Sequence, residues 1–168
     1  MDLILKNTPS PNFNDRKANH VDMIIMHYTG MKTAEDALNR MCDPESEVSA
    51  HYMIDEDGTV YVLVEEDKRA WHAGVSYWEG RNDINSHSIG IELVNPGHEW
   101  GYREFPNIQI QALIELCHDI FKRHPIKPEY VLGHEDVAPT RKQDPGELFP
   151  WRELALEHNI GVWPHPKP

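Results

Sequence analysis

Long apolar runs are absent from this chain of 168 residues. The stretch Leu3 to Leu5 is too short for the core of a secretory leader. No segment approaches the ~20 apolar residues that a membrane span needs. As written, the sequence predicts a cytoplasmic protein with no membrane insertion. A leader removed beforehand would move that expectation to the periplasm or the outer membrane. Cysteine is scarce: Cys42 and Cys117 stand alone, with no C-x-x-C pair. Nothing here demands an oxidising compartment. Cys117 falls on the apolar side of a predicted helix and reads as a buried thiol, while a disulfide to Cys42 stays open. Basic residues are outnumbered, 16 against 28 acidic, for a formal charge of −12. That balance argues against nucleic acid, whose phosphates need a basic surface. It also argues against docking on anionic membranes or wall polymers by charge alone. A small or zwitterionic substrate fits better. Also missing are the G-x-S-x-G elbow, the Walker loop, the dinucleotide fingerprint and HExxH.

What is present suits one compact domain over residues 1–168, long enough to bury a full core. Residues 1–20 read as an extended arm, rich in Pro, Asn and Asp from residue 7 onward. Met23 to Met26 is all apolar and fits a strand buried on both faces, leading into His27. Thr33 can cap a helix over Ala34 to Met41. His51 to Ile54 and Thr59 to Val64 flank Asp57-Gly58 and predict a hairpin. Ser88 to Val94 reads as a strand stopped by Asn95-Pro96-Gly97. The strongest helix runs from about Asn107 to His124. It carries Ile110, Leu113, Ile114, Cys117, Ile120 and Phe121 on one face and Gln111, Glu115, Asp119 and Lys122 on the other. Tyr130 to Leu132 is a last strand, residues 135–150 are loop, and Trp151 to His158 is a terminal helix. The order predicts a mixed α/β domain, a central sheet with helices on its faces.

Histidine is abundant, with 11 in all. His20, His98, His118, His124, His158 and His165 fall in loops or at polar helix positions and read as surface residues. His27 and His134 differ, because each ends a short apolar strand, where α/β sheets commonly place ligands. With Asp144, ten residues on in a proline-bounded loop, they could supply the three protein ligands of a catalytic zinc. By spacing alone, hydrogen-bonded histidines at strand ends are the better account of the pattern. Glu92 sits in the apolar run Ile89-Gly90-Ile91-Glu92-Leu93-Val94, so it is either a general base or an outward-facing strand residue. Lys142 shares a side with Asp144 in an extended segment, so it either faces the same cleft as an oxyanion stabiliser or is a solvated loop lysine.

Five stretches, in order, carry a resemblance. They are Ile25-Met26-His27-Tyr28-Thr29, Val48-Ser49-Ala50-His51-Tyr52, Arg69-Ala70-Trp71-His72-Ala73-Gly74, Ser88-Ile89-Gly90-Ile91-Glu92, and Gly133-His134-Glu135-Asp136-Val137-Ala138-Pro139 running through Arg141-Lys142-Gln143-Asp144-Pro145-Gly146. Over residues 22–152 the chain resembles the AmpD/AmiD-type N-acetylmuramoyl-L-alanine amidases, the amidase_2 family, related to the peptidoglycan-recognition proteins. The resemblance implies a central mixed sheet flanked by helices. It implies one Zn²⁺ per chain on His27, His134 and Asp144, with Glu92 as catalytic carboxylate and Lys142 on the oxyanion side. Tyr28, His51, Trp71, His72 and Asn95 resemble positions lining the family's cleft. Trp71 could stack on a sugar or fill the core, and Arg69 or Arg81 could clamp the stem-peptide carboxylates.

The implied activity is hydrolysis of the amide between N-acetylmuramic acid, or its 1,6-anhydro form, and L-alanine, in peptidoglycan turnover or cell-wall recycling. The implied partner is a muropeptide or peptidoglycan, and the expected state is a monomer. Two alternatives are a non-catalytic peptidoglycan-recognition module and a zinc amidase of other substrate. Ending near Trp163-Pro164, the chain has no room for the C-terminal wall-binding domain of several AmiD-like proteins. The wording SAHYMIDEDGTVY and IELVNPGHEWGY resembles the exported AmiD branch, against the cytoplasmic expectation.

Overall fold

The computed structural model describes residues 2–164. In chain order the elements are β1 (Leu5–Asn7), β2 (Phe13–Asp15), β3 (Met23–Tyr28), α1 (Ala34–Cys42), β4 (Tyr52–Ile54), β5 (Val60–Val62) and β6 (Lys68–Ala70). There follow α2 (Ile84–His87), β7 (Ser88–Leu93), α3 (Gly97–Trp100), α4 (Asn107–Arg123), β8 (Val131–Gly133), α5 (His134–Val137) and α6 (Trp151–His158). Six strands form one sheet in the order β1-β5-β4-β7-β3-β8. Only the β4–β5 pair is antiparallel, so the sheet is mixed, as expected.

The all-apolar run of β3 is explained by its place between β7 and β8, with helices or loops over both faces. Alternation then divides its residues. Ile24 and Met26 join Ile89, Ile91 and Leu93 in the cluster under α4. Met23 and Ile25 face the other way, against Ala73, Ile84, Leu132 and Val137. Position 27 shares the parity of 23 and 25, so His27 belongs to the face that α4 leaves uncovered. Helix α4 buries Ile110, Leu113, Ile114, Cys117 and Ile120 as its spacing predicts, and stops just before Pro125. Thr33 Oγ1 accepts from Asp36 N–H at 3.0 Å and caps α1. Cys42 and Cys117 are free thiols, which closes the disulfide alternative.

Several expectations are corrected. The N-terminal arm carries two strands: β1 extends the main sheet beside β5, and β2 pairs with β6. The loop expected over 135–150 begins with α5, whose Asp136 carboxylate accepts from Gly133 N–H at 2.8 Å. His98 and His124 are half-buried, because Tyr28 and Glu147 close on the first and Glu66 on the second. His20 and His118 are exposed, and His158 is half-buried. His165 lies outside the described residues. No helix among the described residues is long and apolar enough to cross a membrane.

Candidate active site

Strands β3, β7 and β8 run parallel, so their C-terminal ends lie along one edge of the sheet. His27 sits at the end of β3, and its partner in register on β7 is Glu92. His134 follows β8 directly as the first residue of α5. Asp144 comes back to them because the chain after α5 folds over. Lys142 N–H donates to the Ala138 carbonyl and Glu135 N–H to the Asp144 carbonyl, each at 2.9 Å.

The result is a tight triangle. Nδ1 of His27 lies 3.0 Å from Nδ1 of His134 and 3.1 Å from Oδ2 of Asp144. The third edge, His134 Nδ1 to Asp144 Oδ2, is 3.2 Å. Ligands ~2.1 Å from a tetrahedral ion stand roughly 3.2–3.4 Å apart, so the three atoms fit a single divalent cation. Two imidazole nitrogens and a carboxylate oxygen, all buried, otherwise crowd their lone pairs together. His27 is pushed down to about 4 by burial, with His134 adding to it, and so presents a neutral ring. Burial acts to raise Asp144, but the two histidines beside it outweigh that and hold the carboxylate ionised well below its usual range. Neutral histidines and an ionised carboxylate are what a metal requires.

Glu92 stands beside the triangle, with Oε1 3.9 Å from His27 Nδ1 and 15% of the side chain exposed. Its Oε2 is buried and has no hydrogen-bond partner. Burial first, and then the Asp144 charge, push this carboxyl well above its ordinary value, with Lys142 opposing. Lys142 is exposed and lines the same cleft of about 790 Å³ as His27, Glu92, His134 and Asp144. Lys142 and Asp144 thus line one cleft.

The expected cleft positions divide. Tyr28 and Trp71 line the cleft and are half-buried; the Trp71 indole N–H donates to Asn14 at 3.0 Å, so this ring is not core. His72 also lines the cleft, nearly buried, with its Nδ1 3.0 Å from His27 Nε2. His51 and Asn95 do not line the cleft. His51 is fully buried, with Nδ1 accepting from Gly90 N–H at 3.0 Å and Nε2 2.9 Å from the Lys68 carbonyl. Asn95 ties the turn after β7, donating to the Arg103 carbonyl at 2.7 Å and accepting from Gly97 N–H at 3.1 Å. Neither arginine is a free clamp: Arg69 pairs with Asp83 at 2.8 Å and Arg81 with Asp22 at 2.7 Å. Sequence reasoning missed Arg141, which lines the cleft and donates to the Ala73 carbonyl at 2.8 Å. It also missed the rim pair of Lys32 over the Trp100 ring at 4.5 Å. Neither shows in local pattern, since each depends on a contact across the fold.

A parallel-sheet edge with two histidines, one carboxylate and a free buried carboxyl beside them has the donor set of a mononuclear hydrolytic metal centre. The chain belongs to the N-acetylmuramoyl-L-alanine amidase family (Amidase_2), whose sequence profile matches residues 17–147. It is 41% identical to the N-acetylmuramoyl-L-alanine amidase AmiD of Escherichia coli K12 over 156 residues, covering 86% of this chain and 55% of that protein. The chain thus spans little more than half the length of that relative. To the 1,6-anhydro-N-acetylmuramyl-L-alanine amidase AmpD of the same organism it is 33% identical, covering 90% of each. Among solved structures, E. coli AmiD in complex with anhydro-N-acetylmuramic acid-L-Ala-D-γ-Glu-L-Lys matches with a TM-score of 0.79 and 39% identity, over 91% of this chain and 63% of that one. AmpDh3 of Pseudomonas aeruginosa, complexed with anhydromuramic pentapeptide, matches at 0.77 and 34%, over 91% of this chain and 66% of that one.

Proposed function

We propose that this protein hydrolyses the amide bond between N-acetylmuramic acid, or its 1,6-anhydro form, and the L-alanine of the stem peptide. In this reading His27, His134 and Asp144 hold a zinc ion. The observation that carries the reading is the three-atom donor triangle beside the unpartnered Oε2 of Glu92. Family membership and the substrates of the similar amidases support the choice of bond.

Bound zinc would supply Lewis acidity that polarises the amide carbonyl and makes water a stronger nucleophile near neutral pH. The protein's own residues do the rest. Glu92 accepts the proton of the attacking water on its free carboxylate oxygen. Burial keeps that carboxyl a ready proton carrier, so it then delivers the proton to the departing L-alanine nitrogen. Lys142, at the cleft surface, faces the negative charge that develops on the carbonyl oxygen. Trp71 and Tyr28 offer aromatic surface to the sugar. All of these groups come from one chain, which supports a monomer as the working unit. The charge of −12 favours soluble fragments over the anionic wall.

The test is mass spectrometry of anhydro-muropeptide, muropeptide and whole sacculi after incubation, with and without a chelator. Soluble fragments are expected to split into sugar and free peptide, and the chelator to stop it. Intact masses under both conditions would leave a peptidoglycan-recognition module as the better reading.

A further inference from the structure

His27 and His134 present the same atom, Nδ1, to the donor triangle, and each turns Nε2 toward one short segment, residues 72–73. Nε2 of His134 lies 2.8 Å from the Ala73 carbonyl. A carbonyl oxygen only accepts, so this nitrogen carries the proton and the Nδ1 of His134 is bare. His27 meets another imidazole, so its proton must be traced outward. Nε2 of His72 lies 3.0 Å from Ser88 Oγ, and Ser88 Oγ lies 2.8 Å from the Ile84 carbonyl. The Ser88 hydroxyl has one proton, and the carbonyl takes it. Ser88 therefore accepts from His72 Nε2–H, His72 accepts at Nδ1, and His27 donates from Nε2. The reverse order would leave two oxygens facing each other at 2.8 Å with no proton between them.

The segment that does this is itself held. Asn85 Oδ1 accepts from the backbone N–H of His72 at 3.1 Å and of Ala73 at 2.8 Å. Gly90 gives His72 its room, since a Cβ there would stand 2.5 Å from the imidazole Cγ. His72, Asn85 and Ser88 are all buried, so water does not compete for these bonds.

We propose that His72, oriented through Ser88 and Ile84, is a positioning residue that fixes His27 in the tautomer with Nδ1 free, as the Ala73 carbonyl does for His134. In that tautomer both Nδ1 atoms and Asp144 Oδ2 are bare acceptors 3.0–3.2 Å apart, a crowding that a bound cation relieves. The relay therefore acts with the cation in place, and it rests on the metal-site reading.

Zn²⁺ affinity, measured by chelator competition, and histidine ¹⁵N–¹H correlation spectra of the Zn²⁺-loaded protein test the relay. His72 is expected as the Nε2–H tautomer. His72→Leu should weaken Zn²⁺ binding roughly 10- to 100-fold. His72→Gln should restore it, because its amide can accept from His27 and donate to Ser88. Ser88→Ala, a smaller change, decides the matter if His72→Leu does not fold; it should mix the tautomers of His72 and weaken Zn²⁺ by roughly fivefold. An Nδ1–H tautomer of His72 in the unaltered protein overturns the proposal, as does unchanged Zn²⁺ affinity in both His72→Leu and Ser88→Ala. If the unaltered protein binds no Zn²⁺, the metal reading fails and the relay with it; if it binds and the variants bind equally, the relay alone fails.

Discussion

At position 92 a carboxylate stands in a strand whose neighbours are isoleucine, leucine, glycine and serine. The alternation of β7 sends Ile89, Ile91 and Leu93 under α4 and leaves Ser88, Gly90 and Glu92 on the opposite side. Those three are the small or polar residues, and each has a task there: Ser88 orients His72, Gly90 makes room for it, and Glu92 faces the donor triangle. Replacing Glu92 with Gln keeps the shape and removes the proton carrier. Zinc content, measured on the purified protein, should be unchanged, while turnover of anhydro-muropeptide falls about 10²- to 10⁴-fold. Activity within a few-fold of the parent would remove Glu92 from its assigned role. The outward-facing alternative for Glu92 was open in the sequence because parity names a face without saying what lies above it. The same limit explains His51 and Asn95. Each sits in a stretch shared with the family, but His51 turns to the Gly90 and Lys68 backbones and Asn95 to a turn.

Among the elements, α4 was legible in full, because five buried residues at helical spacing declare a face. The short pieces β6, α2, α3 and α5 were not, since three or four residues hold no period. How α4 ties to the sheet was also hidden. Glu66, between β5 and β6, accepts from Tyr52 of β4, from Arg123 at 2.7 Å, and pairs with His124 at 2.7 Å. Burial acts to raise this carboxyl, but those hydrogen bonds outweigh it and hold it at about 2, below its ordinary 4.5. Because the folded value is the lower one, the contribution is complete above pH 4.5 and is lost as pH falls through about 2. Glu66→Gln should therefore cost about 1–3 kcal/mol at neutral pH by urea denaturation. The gap to the parent protein should close as the pH is taken down through that window. A gap that does not change with pH would assign its cost to packing alone.

For the molecule as a whole, the donor triangle brings together β3 and the segment after β8, 107 residues apart in the chain. A cation bound there stabilises only the folded state. Zn²⁺ at about 100 times its dissociation constant should add about 2.7 kcal/mol and raise the thermal midpoint. Asp144→Asn should lose that increment while keeping its midpoint without metal close to the parent's. Equal shifts in both proteins would place the ion elsewhere. The sequence by itself determined the element types with long periods and the parity of β3 and β7, local facts set by side-chain spacing and by what a strand or helix does with it. It nominated His27, Glu92, His134, Lys142 and Asp144 as chemistry-bearing positions, mainly through the family resemblance. Only the tertiary structure decided that three of those residues meet within 3.2 Å, that His72 stands against His27, and that Arg69 and Arg81 are already paired. Contacts between distant segments depend on strand order and loop return, and neither is written in the spacing of neighbouring residues.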